Sequence, residues 1–339
     1  MKAALEISLP RGTPVLVTGA TGFTGQVLTR KLCERGLEVH AIARASSSRS
    51  ELENLPVKWH IGNVYDAEIA EKAASGVQYV FHVAAAYRTA GIPDEEYHRV
   101  HVESTKNLAA LALKQPDFKR FVHVSTVGVH GHIEEPPADE TAPFRPGDIY
   151  QRTKAEAEAW LHEFATANKL PYSVIRPAAI YGPGDRRLLK VFRMAKAPVF
   201  ILLGRGQCLY HLIHVDDLTE AIIRAAWHPA ALGEAFICGD PAAVSLEKMG
   251  RTIADEMKRP FRVLRLPAWP FFALADATEA ICKPLKLSPP IYRRRVAFFT
   301  KDRSFDTQKL RTRLDFTYKW EAEAGLRATT RWYMEHGWL

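Results

Sequence analysis

Near the start of the chain, three glycines stand between an apolar run and a helical pattern, in Val15-Leu16-Val17-Thr18-Gly19-Ala20-Thr21-Gly22-Phe23-Thr24-Gly25. A tight passage from strand to helix needs a residue that tolerates positive φ. A diphosphate approaching the N-terminus of that helix needs backbone with no Cβ in the way. A third glycine lets the helix pack closely on the strand. The segment therefore reads as a dinucleotide-binding turn, with Gly19, Thr21, Gly22, Phe23, Thr24 and Gly25 as its candidate contacts.

The first half of the chain continues the theme. Short apolar runs at Pro14–Thr18, Leu37–Ala43, Val57–Ile61, Val77–Val83, Phe121–Ser125 and Tyr172–Ile175 alternate with helical patterns at Thr24–Arg35, Ala67–Ser75, Asp94–Lys114 and Ile149–Asn168. Strands that are apolar throughout are covered on both faces, which is the texture of a parallel sheet built from βα units. The fold class is α/β: a doubly wound parallel sheet with its ligand crevice at the carboxyl ends of the strands, followed by a smaller C-terminal substrate-binding region. Residues 1–177 form the dinucleotide-binding domain, to which 212–240 return (Leu212–Trp227 and Ala235–Cys238). Residues 178–211 and 241–339 form the substrate region, closed by an amphipathic helix over Glu321–His336.

Composition narrows the setting. A chain of 339 residues, 47% apolar and 25% charged, can bury a full core. Its net charge of +8 is spread along the sequence apart from short clusters such as Arg293-Arg294-Arg295. A basic surface attracts anions, but no basic block is interleaved with aromatics, so nucleic acid is not expected as a partner. Cys33, Cys208, Cys238 and Cys282 have no metal or redox spacing and read as free thiols. Met1–Arg11 is too short in apolar residues for a signal peptide, and no run can span a bilayer. A cytoplasmic enzyme is the expectation, with a small-molecule substrate and no metal. Peripheral membrane contact and a homodimer are both left open.

The second strand should end beside the adenosine ribose. An acidic residue there would hold the ribose hydroxyls and repel a 2′-phosphate. This chain places Arg44 there, followed by serines up to Arg49. A guanidinium among hydroxyls suits a phosphate, so NADP(H) is favoured and NAD(H) stays open. Further on, Tyr150 and Lys154 are spaced i, i+4 on one face of a helix. A free tyrosine, pKa about 10, is a poor base, but an adjacent ammonium favours the phenolate and brings it into range for proton transfer. The hydroxyl pair Ser125-Thr126 ends the fifth strand, and one of the two can orient a substrate oxygen.

Taken together, the glycine turn, Ser125-Thr126, Tyr150 and Lys154 resemble the extended short-chain dehydrogenase/reductase family, the NAD-dependent epimerases and dehydratases. Phe81–Ala86, Ile175–Asp185, His214–Asp217 and Trp332–His336 resemble further segments of its pattern. The resemblance implies a Rossmann sheet over most of the chain, with Ala84, Ala85 and Ala86 along the ribose and Pro177 and Ile180 over the nicotinamide. It places the catalytic hydroxyl on Thr126, with Ser125 as the alternative, beside Tyr150 and Lys154. Asn63, next to Val64, stands where an aspartate near adenine is usual. His101 stands where an asparagine is usual and receives no role. His214 is expected to hold its turn with Asp216 capping the next helix, and Tyr181 to wall the pocket.

Within that family the reaction is read by omission. Sugar-nucleotide enzymes resembling this chain carry an asparagine where it has Ala179, and an arginine near Tyr210, where Leu209 and His211 also fail to supply one. Arg186 or Arg205 could replace them. The segment Leu264–Ile281 is rich in apolar and aromatic residues, and Phe298–Asp306 resembles hydroxysteroid-dehydrogenase-like members. The expected function is interconversion of a ketone and a secondary alcohol on an apolar or aromatic molecule, in a pocket closed partly by Trp269, Phe271 and Phe272. The alternative is sugar-nucleotide epimerisation or dehydration.

Overall fold

The apolar runs pair in parallel. A computed structural model describes residues 9–87, 92–204, 206–282, 284, 289–291, 293–297, 299–300 and 302–339. Met1–Ser8, Arg205, Phe298, Lys301 and the side chains of Arg294 and Arg295, which figured in the expectations above, lie outside the described residues. The strands are β1 (Pro14–Thr18), β2 (Glu38–Ala43), β3 (Val57–Ile61), β4 (Tyr79–His82), β5 (Arg120–Val124), β6 (Tyr172–Pro177), β7 (Ala179–Tyr181), β8 (Phe200–Leu203), β9 (Leu209–Tyr210), β10 (Leu212–His214), β11 (Ala235–Cys238), β12 (Val244–Ser245) and β13 (Val263–Leu266). The principal helices are α1 (Phe23–Glu34), α2 (Ala67–Ala74), α3 (Asp94–His98), α4 (Ser104–Leu113), α5 (Ile149–Asn168), α6 (Leu189–Lys196), α7 (Val215–Trp227), α8 (Leu246–Glu256), α9 (Trp269–Cys282), α10 (Arg293–Ala297), α11 (Gln308–Arg313) and α12 (Ala322–Glu335).

Seven strands make the central sheet in the order β11-β6-β5-β4-β1-β2-β3. Every pairing in it is parallel, with Val15 beside both Val39 and Tyr79. The order reverses between β1 and β4, and that switch point opens a crevice at the carboxyl ends of the two strands. Side chains alternate across the sheet as strand geometry demands. Val15, Val17, Phe81, Val122 and Ile175 pack on one face with Leu28 and Leu32 of α1 and Leu218 and Ile222 of α7. Leu16, Val80, Phe121 and Val174 pack on the other with Ala70 of α2, Leu108 of α4 and Leu161 of α5. Both faces are dry, which is why the sequence shows continuous apolar runs.

Of residues 212–240, only Ala235–Cys238 joins this sheet as a strand. Residues 212–214 pair with β7 and 215–227 form α7 against its face. A separate core unites Phe192 of α6, Phe200 and Leu202 of β8, Met249 and Ile253 of α8, and Leu326 and Tyr333 of α12. The helix expected over Asp94–Lys114 is interrupted by one π turn at Arg99–Glu103. The late apolar segment opens within β13, which pairs with β8, and α9 then buries Ala275 against Leu203 and Val296. The outer side of α9 stays exposed, with Trp269 at 74% and Ile281 at 64%. Among the described residues, no helix is long and apolar enough to cross a membrane.

Candidate active site

A cleft of about 2250 Å³ runs along the carboxyl ends of the sheet and on between the sheet and the second core. Pockets for a single drug-sized ligand are about 300–1,000 Å³, so this one has room for a dinucleotide and a second molecule. The expected catalytic and cofactor-contacting residues all border it, from the glycine turn through Arg44, Asn63, Val64 and Ala84–Ala86 to Ser125, Thr126, Tyr150, Lys154, Pro177 and Ile180.

The turn is built for close approach. Gly19 has φ +72°, and a Cβ there would lie 2.8 Å from the backbone of Ala84. A Cβ at Gly25 would lie 1.9 Å from the carbonyl oxygen of Gly19, so neither position accepts a side chain. The Gly22 N–H donates to that same oxygen at 3.0 Å and α1 begins directly after it, with no acidic residue in its first turn. The helix N-terminus is thus left positive for an anion. At the end expected to take the adenosine, exposed Arg44 follows β2 and shares the cleft wall with Arg30, Ser47 and Ser48, and with Glu51. Arg30, on α1, is a cleft residue outside the expected set. These residues fit a nicotinamide dinucleotide.

At the other end, α5 carries Tyr150 and Lys154, the pair expected to transfer a proton. Asp148 caps it by accepting the Gln151 N–H at 2.8 Å, so Tyr150 and Lys154 fall in its first two turns. Lys154 is 1% exposed, and its Nζ donates to the Val124 carbonyl at 2.9 Å. Burial pushes the ammonium down to about 8, against a smaller opposing effect of Glu158.

The two hydroxyls at the end of β5 separate cleanly. Ser125 is buried and donates to Glu158 Oε2 at 2.5 Å. Glu158 is wholly buried, its other oxygen taken by Arg176 at 2.7–2.8 Å, and its carboxyl lies below the usual range despite burial because His162, Arg176 and Ser125 favour the charged form. Ser125 is therefore committed to an ion pair beneath the cleft. Thr126 is only partly buried and accepts the Gly128 N–H at 3.0 Å, leaving its hydroxyl proton for a ligand. Glu158 could have been suspected from its i+4 spacing to Lys154, but nothing local marks a glutamate as buried.

Histidine supplies the second unanticipated layer. His101 projects from the π turn, fully buried; its Nε2 accepts the Ala86 N–H at 3.0 Å, so Nδ1 carries the proton and donates to Thr153 Oγ1 at 2.7 Å. The ring meets Tyr150 edge-on, centroids 5.4 Å apart. Burial, then Lys154, hold its pKa well below 6.5 and keep it neutral. One imidazole thus ties the loop after β4 to the helix carrying Tyr150 and Lys154. His82 links Thr18 at 2.8 Å to Thr105 at 3.0 Å, and burial depresses it to about 3.

Several expectations need correction. His214 itself caps α7, its Nδ1 accepting the Asp216 N–H at 3.2 Å, whereas Asp216 takes the Trp320 indole N–H. Tyr181 is wholly buried in the second core and not on the cleft wall. Trp269, Phe271 and Phe272 do not border the cleft either; α9 carries them onto a separate small core or into solvent. The part of the cleft bordered by the second core and the C-terminal segment is lined instead by Met194, Leu212, Met249, Phe299, Trp332 and Trp338, together with Arg186, Arg187, Lys190 and Arg303. Ala179 and Tyr210 border it too, as the omission argument required.

A doubly wound parallel sheet, a glycine turn at its switch point and a Tyr/Lys pair beside it define a nicotinamide-dinucleotide enzyme of the short-chain dehydrogenase/reductase kind. The model of the NAD dependent epimerase/dehydratase family matches residues 15–239, and the chain belongs to that family. It is 28% identical to a putative dihydroflavonol 4-reductase of Synechocystis sp. over 95% of both chains. It is 30% identical to a 3 beta-hydroxysteroid dehydrogenase/Delta 5-->4-isomerase of Mycobacterium tuberculosis, over 78% of this chain and 74% of that one. Its fold also matches Thermotoga maritima UDP-glucose 4-epimerase solved with UDP-glucose, with TM-score 0.76 and 22% identity over 95% of this chain and 99% of that one.

Proposed function

We propose that the protein interconverts a ketone and a secondary alcohol on an apolar or aromatic small molecule, with NADP(H) as the favoured cofactor. The observation carrying this reading is the lining of the cleft away from the glycine turn, where Met194, Leu212, Met249, Phe299, Trp332 and Trp338 supply apolar surface and the Ala179 side chain supplies no ligand for a diphosphate. Burying apolar surface favours binding by roughly 25 cal/mol per Å². The two sequence relatives, a reductase and a dehydrogenase by name, support the same reading. Arg44 with Ser47 and Ser48 supports the 2′-phosphate.

The bound nicotinamide supplies or accepts the hydride. The chain's own groups handle the oxygen and its proton. Thr126 donates a hydrogen bond to the substrate oxygen; Tyr150 gives that oxygen a proton on reduction and takes it back on oxidation. Lys154, charged below pH 8, steadies the phenolate and holds α5 against Val124. Glu158, through Ser125 and Arg176, fixes the floor beneath them.

A second reading, sugar-nucleotide epimerisation, draws on Arg186, Arg187, Lys190 and Arg303 in the same wall. A panel of apolar ketones and UDP-sugars, followed by loss of NADPH absorbance and by product analysis, decides between them. Net NADPH consumption on ketones is the expected outcome. Sugar interconversion without net consumption would replace the first reading by the second.

A further inference from the structure

Arg187 is held more firmly than a surface arginine needs to be. Its Nε donates to Asp185 Oδ1 at 2.9 Å, and its own backbone N–H donates to the same oxygen at 3.1 Å. Asp185 is 1% exposed and takes the Leu188 N–H on its other oxygen at 2.9 Å. The guanidinium centre lies 5.4 Å from the ring of Phe23 and 5.5 Å from that of Tyr87. Those rings mark the two ends of the chemistry: Phe23 opens α1 directly behind the glycine turn, and Tyr87 packs on Tyr150 with centroids 6.0 Å apart. The terminal Nη2 is buried on the cleft wall with no hydrogen-bond partner among the described residues. A buried charged donor left unpaired is costly, and such groups are rare unless a ligand completes them. Arg186 and Lys190 border the same cleft and add to its positive field.

We propose that Arg187 is an anion-binding residue, its Nη2 held ready for a phosphate or carboxylate oxygen between the glycine turn and Tyr150. The proposal rests on reading the cleft as a dinucleotide site. Two sources supply such an oxygen there: the diphosphate of the cofactor, or an anionic group at the far end of the substrate.

Calorimetry on the full chain separates the sources. NADP⁺ is titrated into wild type and Arg187→Gln, and inorganic pyrophosphate is then titrated into each protein saturated with NADP⁺. A charge-assisted hydrogen bond lost from a buried site corresponds to about a tenfold or greater loss of affinity. If NADP⁺ weakens by that factor, the anion is the cofactor's diphosphate. If NADP⁺ is unchanged while pyrophosphate binds the wild-type complex and weakens tenfold in the variant, it is a substrate anion. If neither affinity differs by more than about twofold, the proposal is overturned. Arg187→Lys keeps the charge without the fork, and a smaller loss of the same kind is expected there should the glutamine variant fail to fold. Both titrations are equilibrium measurements, so failure to reduce any ketone would sink the proposed function and leave this result standing.

Discussion

Replacing Lys154 by methionine should destroy activity and yet make the protein more stable at neutral pH. The lysine is 1% exposed, and burial holds its ammonium at about 8 against an ordinary 10.5. At about 1.4 kcal/mol for each tenfold, that difference is a penalty on the order of 3 kcal/mol on the charged folded state. Below pH 8 the lysine is protonated in folded and unfolded chains alike, so the full penalty is present. Between pH 8 and 10.5 the folded chain releases the proton while the unfolded chain keeps it, and stability rises with pH. Above 10.5 the penalty has gone. Methionine fills similar space without charge, but it orphans the Val124 carbonyl that Nζ contacts at 2.9 Å, which costs about 1 kcal/mol. The variant should therefore be about 2 kcal/mol more stable than wild type at pH 7 and about 1 kcal/mol less stable near pH 10.5. Urea unfolding of both proteins, followed by tryptophan fluorescence across that range, measures the crossing. A difference that keeps one sign and one size at every pH would refute the account of Lys154 as a buried, strained charge.

Three further outcomes follow from the site. Tyr150→Phe keeps the ring contacts with Tyr87 and His101 and should lower kcat by about 10²-fold or more, while the NADP⁺ affinity measured by calorimetry stays within about twofold. Arg44→Ala should weaken NADPH by about tenfold and leave NADH unchanged; equal effects on both would remove the 2′-phosphate from the argument. His101→Leu breaks the tie between Ala86 and Thr153 and should reduce kcat by about tenfold, with His101→Asn recovering part of it. Because His101 is held neutral well below pH 6.5, the shape of the wild-type pH–rate profile between pH 6 and 9 should persist in both variants.

What the sequence revealed and what it hid divide along a physical line. The six early strands, the glycine turn and the Tyr150/Lys154 spacing are short-range features, so periodicity and turn chemistry display them directly. The choice between Ser125 and Thr126 depends on Glu158, 33 positions away in sequence, and a glutamate's burial is decided by what faces it rather than by its neighbours in the chain. The misplaced pocket wall has the same origin. Trp269, Phe271 and Phe272 are no more aromatic than Trp332 and Trp338, and composition cannot tell which group the chain folds back onto the cleft. Here α12 does so by burying Leu326 and Tyr333 against α6 and α8, and the C-terminal tryptophans arrive with it. His101 and Arg187 are not legible locally because their contacts cross elements, one joining the loop after β4 to α5, the other meeting the rings of Phe23 and Tyr87. In this chain the glycine turn and the Tyr150/Lys154 spacing are written locally, whereas the far wall of the cleft and the buried contacts around Tyr150 exist only once the two cores have met.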